Sequence, residues 1–291
     1  MTADTAPQRQ QRFGFSDAEL VAHPTVYAPG LFKGKRVLVS GAATGFGRAI
    51  AVLFARLGAD LVICGRKPEP LEAAATFFRG LGVDVLTQPL TIRDPEAVEK
   101  LMERVWRETG GIDVLVNNAG GQFAQPAIDF TVKGWNAVID TNLNGTWYMM
   151  QQAARRWRDA QKPGVIVNMT ATIWRGLPHM AHTAAARAGV IYMSKTVAVE
   201  WAPLNIRVNC LAVGTVESSG FENYTDEGRS TFWESNPMRR PGDVFDVAEA
   251  TVYLAGPTSK FITGDVITLD GGQQLWGDFF AAGRPDYFKI K

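Results

Sequence analysis

A chain of 291 residues with 46% hydrophobic content can bury one large core or two small ones. A formal net charge of +1 gives no electrostatic footprint for nucleic acid or an anionic membrane surface. Two cysteines inside apolar runs and three histidines without ligand spacing point to buried thiols, and away from a disulfide framework or a metal site.

Residues 1–30 are polar, carry Pro7, Pro24 and Pro29, and are expected to form an arm without a core of its own. They hold no secretory apolar segment, and no run in the chain approaches a membrane span, so a cytoplasmic protein is expected. Residues 37–39 are β-branched or apolar and predict a buried strand that breaks at Gly41. The turn GAATGFG follows, and Ile50, Leu53, Phe54 and Leu57 then recur at helical spacing. Strand, glycine-rich turn and helix are the context of a dinucleotide fingerprint, although the spacing Gly41, Gly45, Gly47 departs from G-x-G-x-x-G. The glycines admit a pyrophosphate close to the backbone, and the N–H groups of the helix start face it. Gly41, Thr44, Gly45, Phe46 and Gly47 are therefore expected to hold a dinucleotide cofactor.

The alternation continues along the chain. Strands are expected at 60–64, 83–89, 113–116, 165–168, 206–211 and 265–269. Helices are expected at 68–81, 95–109, 135–160 and 183–201. Apolar strands separated by helices predict an α/β fold with one doubly wound, parallel, seven-stranded sheet, a Rossmann fold covered on both faces. The domain division is an arm at 1–30, the Rossmann domain at 31–272 and a C-terminal extension at 273–291. After the second strand, where an acidic residue would bind an NAD ribose, the chain carries Gly65, Arg66 and Lys67, while Asp60 lies at the wrong end. Arg66 can pair bidentately with a 2′-phosphate and Lys67 adds charge, which predicts NADP(H).

Over residues 34–272 the chain resembles the short-chain dehydrogenase/reductase family. The matching pieces are the Gly41–Gly45–Gly47 turn, the NNAG run at 117–120, Asn142 in DTNLNGT, IVN at 166–168, IRVN at 206–209 and ITGDVITLDGG near the C-terminus. The resemblance implies that Asn118, Ala119 and Gly120 lie beside the adenine ribose and Thr91 and Ile92 near the adenine. It implies that Gly214, Thr215 and Val216 hold the nicotinamide amide, with Val213 in place of the usual proline. It also implies a homotetramer paired through the two long helices.

The family places a tyrosine and a lysine four residues apart at the start of the 183–201 helix, where the lysine holds the nicotinamide ribose and the tyrosine exchanges a proton. Those positions here are Thr183 and Arg187. Arg187 can donate to ribose hydroxyls but does not deprotonate to relay a proton. Thr183 is too weak an acid to act unaided, and the adjacent His182 titrates nearer neutrality. Tyr192 and Lys195 mimic the pair at the wrong spacing. Lys195 is eight residues past Arg187, roughly 12 Å along the helix axis. At the family's serine position the chain offers Thr170 or Thr172, with Trp174 lining the pocket.

Within the family, GGQFAQPA at 120–127 and AHTAAARAGVIYMSKTVAVEWA at 181–202 resemble the enoyl-CoA and 2,4-dienoyl-CoA reductases. The resemblance implies reduction of a C=C bond conjugated to a thioester, an activity of lipid metabolism. Charge then develops on the thioester oxygen, which needs donors such as Gln122, Asn142, Thr170 or Thr172 more than a proton relay. Phe123 is expected beside the substrate. The dienoyl reductases of mitochondrial type carry a tyrosine where this chain has Trp174 and a lysine where it has Arg187. Two other readings are an alcohol or ketone dehydrogenase acting through His182 or water, and a nucleotide-binding scaffold without chemistry. The expected partner is a small acyl thioester, ketone or alcohol.

Overall fold

Unbroken apolar runs become the central strands. In the computed structural model, which describes residues 13–276 except Thr225, β1 (Arg36–Ser40) buries Val37 to Ser40 completely. Its side chains alternate: Val37 and Val39 join one core cluster and Leu38 the other. β2 (Asp60–Gly65), β3 (Val85–Pro89), β4 (Val114–Asn117), β5 (Gly164–Ala171), β6 (Ile206–Val213) and β7 (Val266–Leu269) complete one seven-stranded parallel sheet, ordered β3-β2-β1-β4-β5-β6-β7. The expected fold is the observed one.

The helices are α1 (Asp17–Ala22), α2 (Gly45–Arg56), α3 (Pro68–Arg79), α4 (Pro95–Thr109), α5 (Val132–Ile139), α6 (Gly145–Asp159), α7 (Ala181–Trp201), α8 (Asp226–Ser230) and α9 (Val244–Ala255). α2, α3 and α9 cover one face of the sheet, and α4, α6 and α7 the other. Local chemistry fixes their ends. Asp94 accepts from the amides of Glu96 and Ala97, Pro95 opens α4, and Gly110 closes it at φ 77°. Asp243 and Asp246 form a capping box that starts α9, a helix the sequence pattern did not reveal.

One region differs from expectation. The 135–160 helix is interrupted: a π turn over Asp140–Asn144 separates α5 from α6. Such a turn inserts an extra residue and re-aims side chains, and it leaves Asn142 only 1% exposed. The N-terminal arm contains α1, and it shares the sheet's core by burying Leu20 to 2% exposure. The C-terminal extension lies outside the described residues from 277 onward. Sheet order reverses between β1 and β4, so a crevice opens at their carboxyl ends.

Candidate active site

The crevice is set by one hydroxyl. Ser40 Oγ, at the end of β1, accepts from the amides of Asn118 and Ala119 at 3.0 Å each. Asn118 Nδ2 donates back to the carbonyls of Ser40 (2.9 Å) and Gly41 (3.2 Å). The glycine-rich turn folds tightly on this junction. Gly41 takes φ +70°, and a Cβ on Gly47 would stand 2.3 Å from the Gly41 carbonyl oxygen, so no larger residue fits there. Thr44, at the N-cap of α2, makes no side-chain cap. The first-turn amides are thus left for an anion, as a cofactor pyrophosphate requires.

A cleft of about 600 Å³ extends from this turn. It brings together Gly41, Thr44, Arg66, Lys67, Thr91, Ile92, Asn118, Ala119 and Gly120, and it reaches Gln122 and Phe123. Arg66 and Lys67 are exposed, and neither makes an ion pair among the described residues. Asp60 is occupied at the far end of β2, where it accepts from Arg36 Nη2 at 3.0 Å. Cys64 also lines the cleft, and burial pushes its thiol up to about 12, so it is inert. Arg93 was not expected: it lines the same cleft, and its Nε donates to Thr141 Oγ1 at 2.5 Å. Its place directly after Thr91 and Ile92 was the available signal.

The catalytic candidates lie beyond that lining. Asn142 Nδ2 donates to the Gly121 carbonyl and its Oδ1 accepts from the Gly121 amide, both at 3.0 Å. The amide holds the 120–122 loop in place. Thr170 Oγ1 donates to the Leu211 carbonyl at 3.2 Å, across β5 and β6. Thr172, half-buried just past β5, makes no side-chain hydrogen bond among the described residues, so its hydroxyl is the free one of the two. Trp174 follows at 47% exposure.

Arg187, and not Lys195, reaches the strand ends. Its Nη1 donates to the Met169 carbonyl at 2.8 Å, and a Cβ on Gly120 would stand 2.5 Å from its Nη2. Burial lowers its pKa from 12.5 to about 10, so it stays cationic at neutral pH. No carboxylate pairs with it among the described residues. A half-buried cation with no carboxylate partner has the chemistry to meet polar or anionic ligand groups. Tyr192 is 69% exposed, with Lys195 Nζ 5.3 Å from its ring centre, on another face of the helix.

Thr183 and His182 are fully buried. The Thr183 amide donates to His182 Nδ1 at 2.7 Å, and the Thr183 hydroxyl stands 3.3 Å from the same nitrogen. The imidazole stacks on Phe130 (4.5 Å, 9°) and meets Phe123 edge-on (4.6 Å, 76°). Desolvation pushes its pKa below the ordinary value, which keeps it neutral. Thr215 and Val216 line a second cavity of about 290 Å³, not the main cleft; Gly214, just before them, packs against Asp270 and Gln273. Gly242 bonds the Thr215 carbonyl and the Glu217 amide, a bridge that leaves the Val216 amide and carbonyl pointing elsewhere. Among the described residues no helix is long and apolar enough to cross a membrane.

Residues 41–274 match the family model described as Enoyl-(Acyl carrier protein) reductase. A Bacillus subtilis (strain 168) protein named "Probable 2,4-dienoyl-CoA reductase" is 36% identical over 248 residues, covering 83% of this chain and 97% of that protein. A 3-oxoacyl-(acyl-carrier-protein) reductase of Thermotoga maritima is also 36% identical, over 82% of this chain and 98% of that one. Among solved structures, the citronellol catabolism dehydrogenase of Pseudomonas aeruginosa PAO1 superposes with a TM-score of 0.77 at 36% identity, covering 86% of this chain and 99% of that one.

Proposed function

The chain belongs to the short-chain dehydrogenase/reductase family of NAD(P)-dependent oxidoreductases, and within it we propose an NADP(H)-dependent reductase of the activated C=C bond of an enoyl or dienoyl thioester. The observation that carries this is the exchange of a proton relay for a fixed cation. Where the family places its phenol, the Thr183 hydroxyl is buried against His182, and Arg187 stands one helical turn on as an unpaired charge. A carbonyl reduction needs a proton at the new alkoxide, whereas a conjugated thioester needs its oxygen's developing charge stabilised. The second need suits this donor set.

The cofactor, when bound, supplies hydride. The α2 amides and the Gly41–Gly47 turn would hold its phosphates, Arg66 and Lys67 its 2′-phosphate, Asn118 to Gly120 its adenine ribose, and Thr91 and Ile92 its adenine. Gly214, Thr215 and Val216 would hold its carboxamide. Arg187 holds the nicotinamide ribose and raises the positive potential near the thioester oxygen. Thr172 and Gln122 donate to that oxygen, while Phe123 and Trp174 line the acyl path. Asn142 and Thr170 act by positioning the backbone around them. His182, neutral and enclosed by aromatic rings, suits packing better than proton transfer.

The reading extends to a cytosolic homotetramer. Cys64 and Cys210 are free buried thiols, which suits a reducing compartment. Tyr192 and Val199 stand 69% and 77% exposed on α7, an apolar face that a two-fold partner would cover. The test is NADPH consumption with 2-enoyl-CoA, 2,4-dienoyl-CoA, 3-oxoacyl-CoA and free ketones. Turnover of the first two supports the proposal; turnover confined to the others overturns it in favour of an alcohol or ketone dehydrogenase.

A further inference from the structure

Residues 13–27 link two parts of the site. One end is anchored on the cofactor side. Both oxygens of Asp17 accept from Arg48, from Nε and from Nη2, each at 2.7 Å. Arg48 lies in the first turn of α2, and its Nη1 donates to the Ala43 carbonyl inside the glycine-rich turn at 3.2 Å. A bidentate pair fixes direction as well as charge. Arg56 donates to the carbonyls of Leu20 (3.0 Å) and His23 (2.6 Å), and the Tyr27 hydroxyl donates to that of Glu249 (2.9 Å). His23 stacks on Phe245 at 4.1 Å. From Asp17 onward the segment is therefore tied onto the body of the domain, with Leu20 buried in its core.

The other end reaches the stretch that follows β6. The Gly14 amide donates to Glu217 Oε1 at 3.2 Å, and the Phe13 ring lies 6.1 Å from that of Phe221. Phe221, 8% exposed, centres an aromatic cluster with Phe232 at 4.7 Å and Tyr224 at 6.5 Å. The same stretch leans on the cofactor turn, where Ser219 Oγ stands 3.7 Å from the place a Cβ on Gly45 would take. It follows Val216 directly, and its own regular structure is limited to α8 and short 3-10 turns at Ser219–Asn223 and Phe232–Glu234. A stretch so poor in ladder bonds opens more readily than the sheet beneath it unless something else ties it down.

We infer that the N-terminal segment is a strap that holds the 218–236 stretch against the site through Phe13 and the Gly14–Glu217 bond, and so sets how tightly substrate is held. Phe13 and Glu217 are positioning residues. The identity of the substrate rests on the proposed function; the mechanical coupling rests on the contacts above.

The test uses the full chain with Phe13→Ala and Glu217→Ala, beside the conservative Phe13→Tyr and Glu217→Gln, the last of which keeps an acceptor oxygen. Amide hydrogen exchange is read in peptides covering 218–224 and 232–236, without added ligand. The alanine variants are expected to exchange about fivefold to tenfold faster there, with α3 and α4 unchanged, and the conservative variants to restore protection. KM for 2,4-dienoyl-CoA is expected to rise by a similar factor while kcat holds. Unchanged exchange in both alanine variants, or equal acceleration throughout the chain, overturns the strap. Faster exchange confined to the stretch, in a protein that reduces no acyl thioester, keeps the strap and overturns the proposed substrate.

Discussion

Replacing Arg187 separates catalysis from stability. Burial costs the cation on the order of 3 kcal/mol, the free energy represented by a pKa of about 10 in place of 12.5. Its hydrogen bond to Met169 returns about 1.5 to 3 kcal/mol, the range for a charged donor. The two nearly cancel. Because no carboxylate pairs with Arg187 among the described residues, its removal strands no opposite charge. Arg187→Met, which keeps most of the volume, should shift the melting temperature by no more than about 4 °C. The same change removes the fixed cation from the site. Turnover of 2,4-dienoyl-CoA should fall by about two orders of magnitude in Arg187→Met and Arg187→Ala, with weaker NADPH binding. Arg187→Lys should retain part of the activity. Steady-state kinetics and a fluorescence titration of NADPH decide the matter. Normal turnover in Arg187→Met, beside a dead Tyr192→Phe, would refute the reasoning and move the acid to Tyr192.

Four further outcomes follow from the geometry. Arg66→Asp should reverse or abolish the preference for NADP(H) over NAD(H), read as the ratio of dissociation constants; equal affinities in the unmutated protein would sink the assignment. Gly47→Ala places a Cβ 2.3 Å from the Gly41 oxygen and should cost about 1 to 3 kcal/mol in chemical denaturation while removing cofactor binding. His182 is neutral in the fold and its pKa lies below the ordinary 6.5, so the unfolded chain binds the extra proton first. Stability from this group is therefore present above about pH 6.5 and lost as pH falls below it, and His182→Phe should flatten that part of the stability profile; an unchanged slope would contradict the burial argument. Sedimentation at micromolar concentration should give a mass four times that of the chain, and a monomer would rule out the homotetramer.

The sheet was legible because its strands are continuous apolar runs bounded by Gly, Pro and Asn, and parallel pairing demands that burial on both faces. The cofactor turn was legible because Gly41 and Gly47 leave no alternative to glycine. The interruption of the 135–160 helix was not, since a π turn shifts the helical phase by a single residue and leaves the apolar spacing on either side intact. For the same reason Asn142 was read as a donor to substrate, whereas its amide is engaged with Gly121. Thr170 and Thr172 are the same residue type, two positions apart. Strand pairing decides between them, because it points the Thr170 hydroxyl at Leu211 and leaves that of Thr172 free. Arg93 escaped notice because its partner, Thr141, is distant in sequence.

The Ser40 junction makes cofactor exchange lopsided. Its hydroxyl and the Asn118 amide lock the β1 and β4 ends together with four bonds of 3.2 Å or less around the fully buried Ser40. That wall of the crevice cannot breathe without stranding amides, and each stranded amide adds to the barrier. The facing wall is tied across by a side-chain bond, from Arg93 to Thr141, at the exposed surface. A dinucleotide should therefore leave adenine end first, and its residence time should answer to Arg93 and Thr141 while the glycine turn stays still.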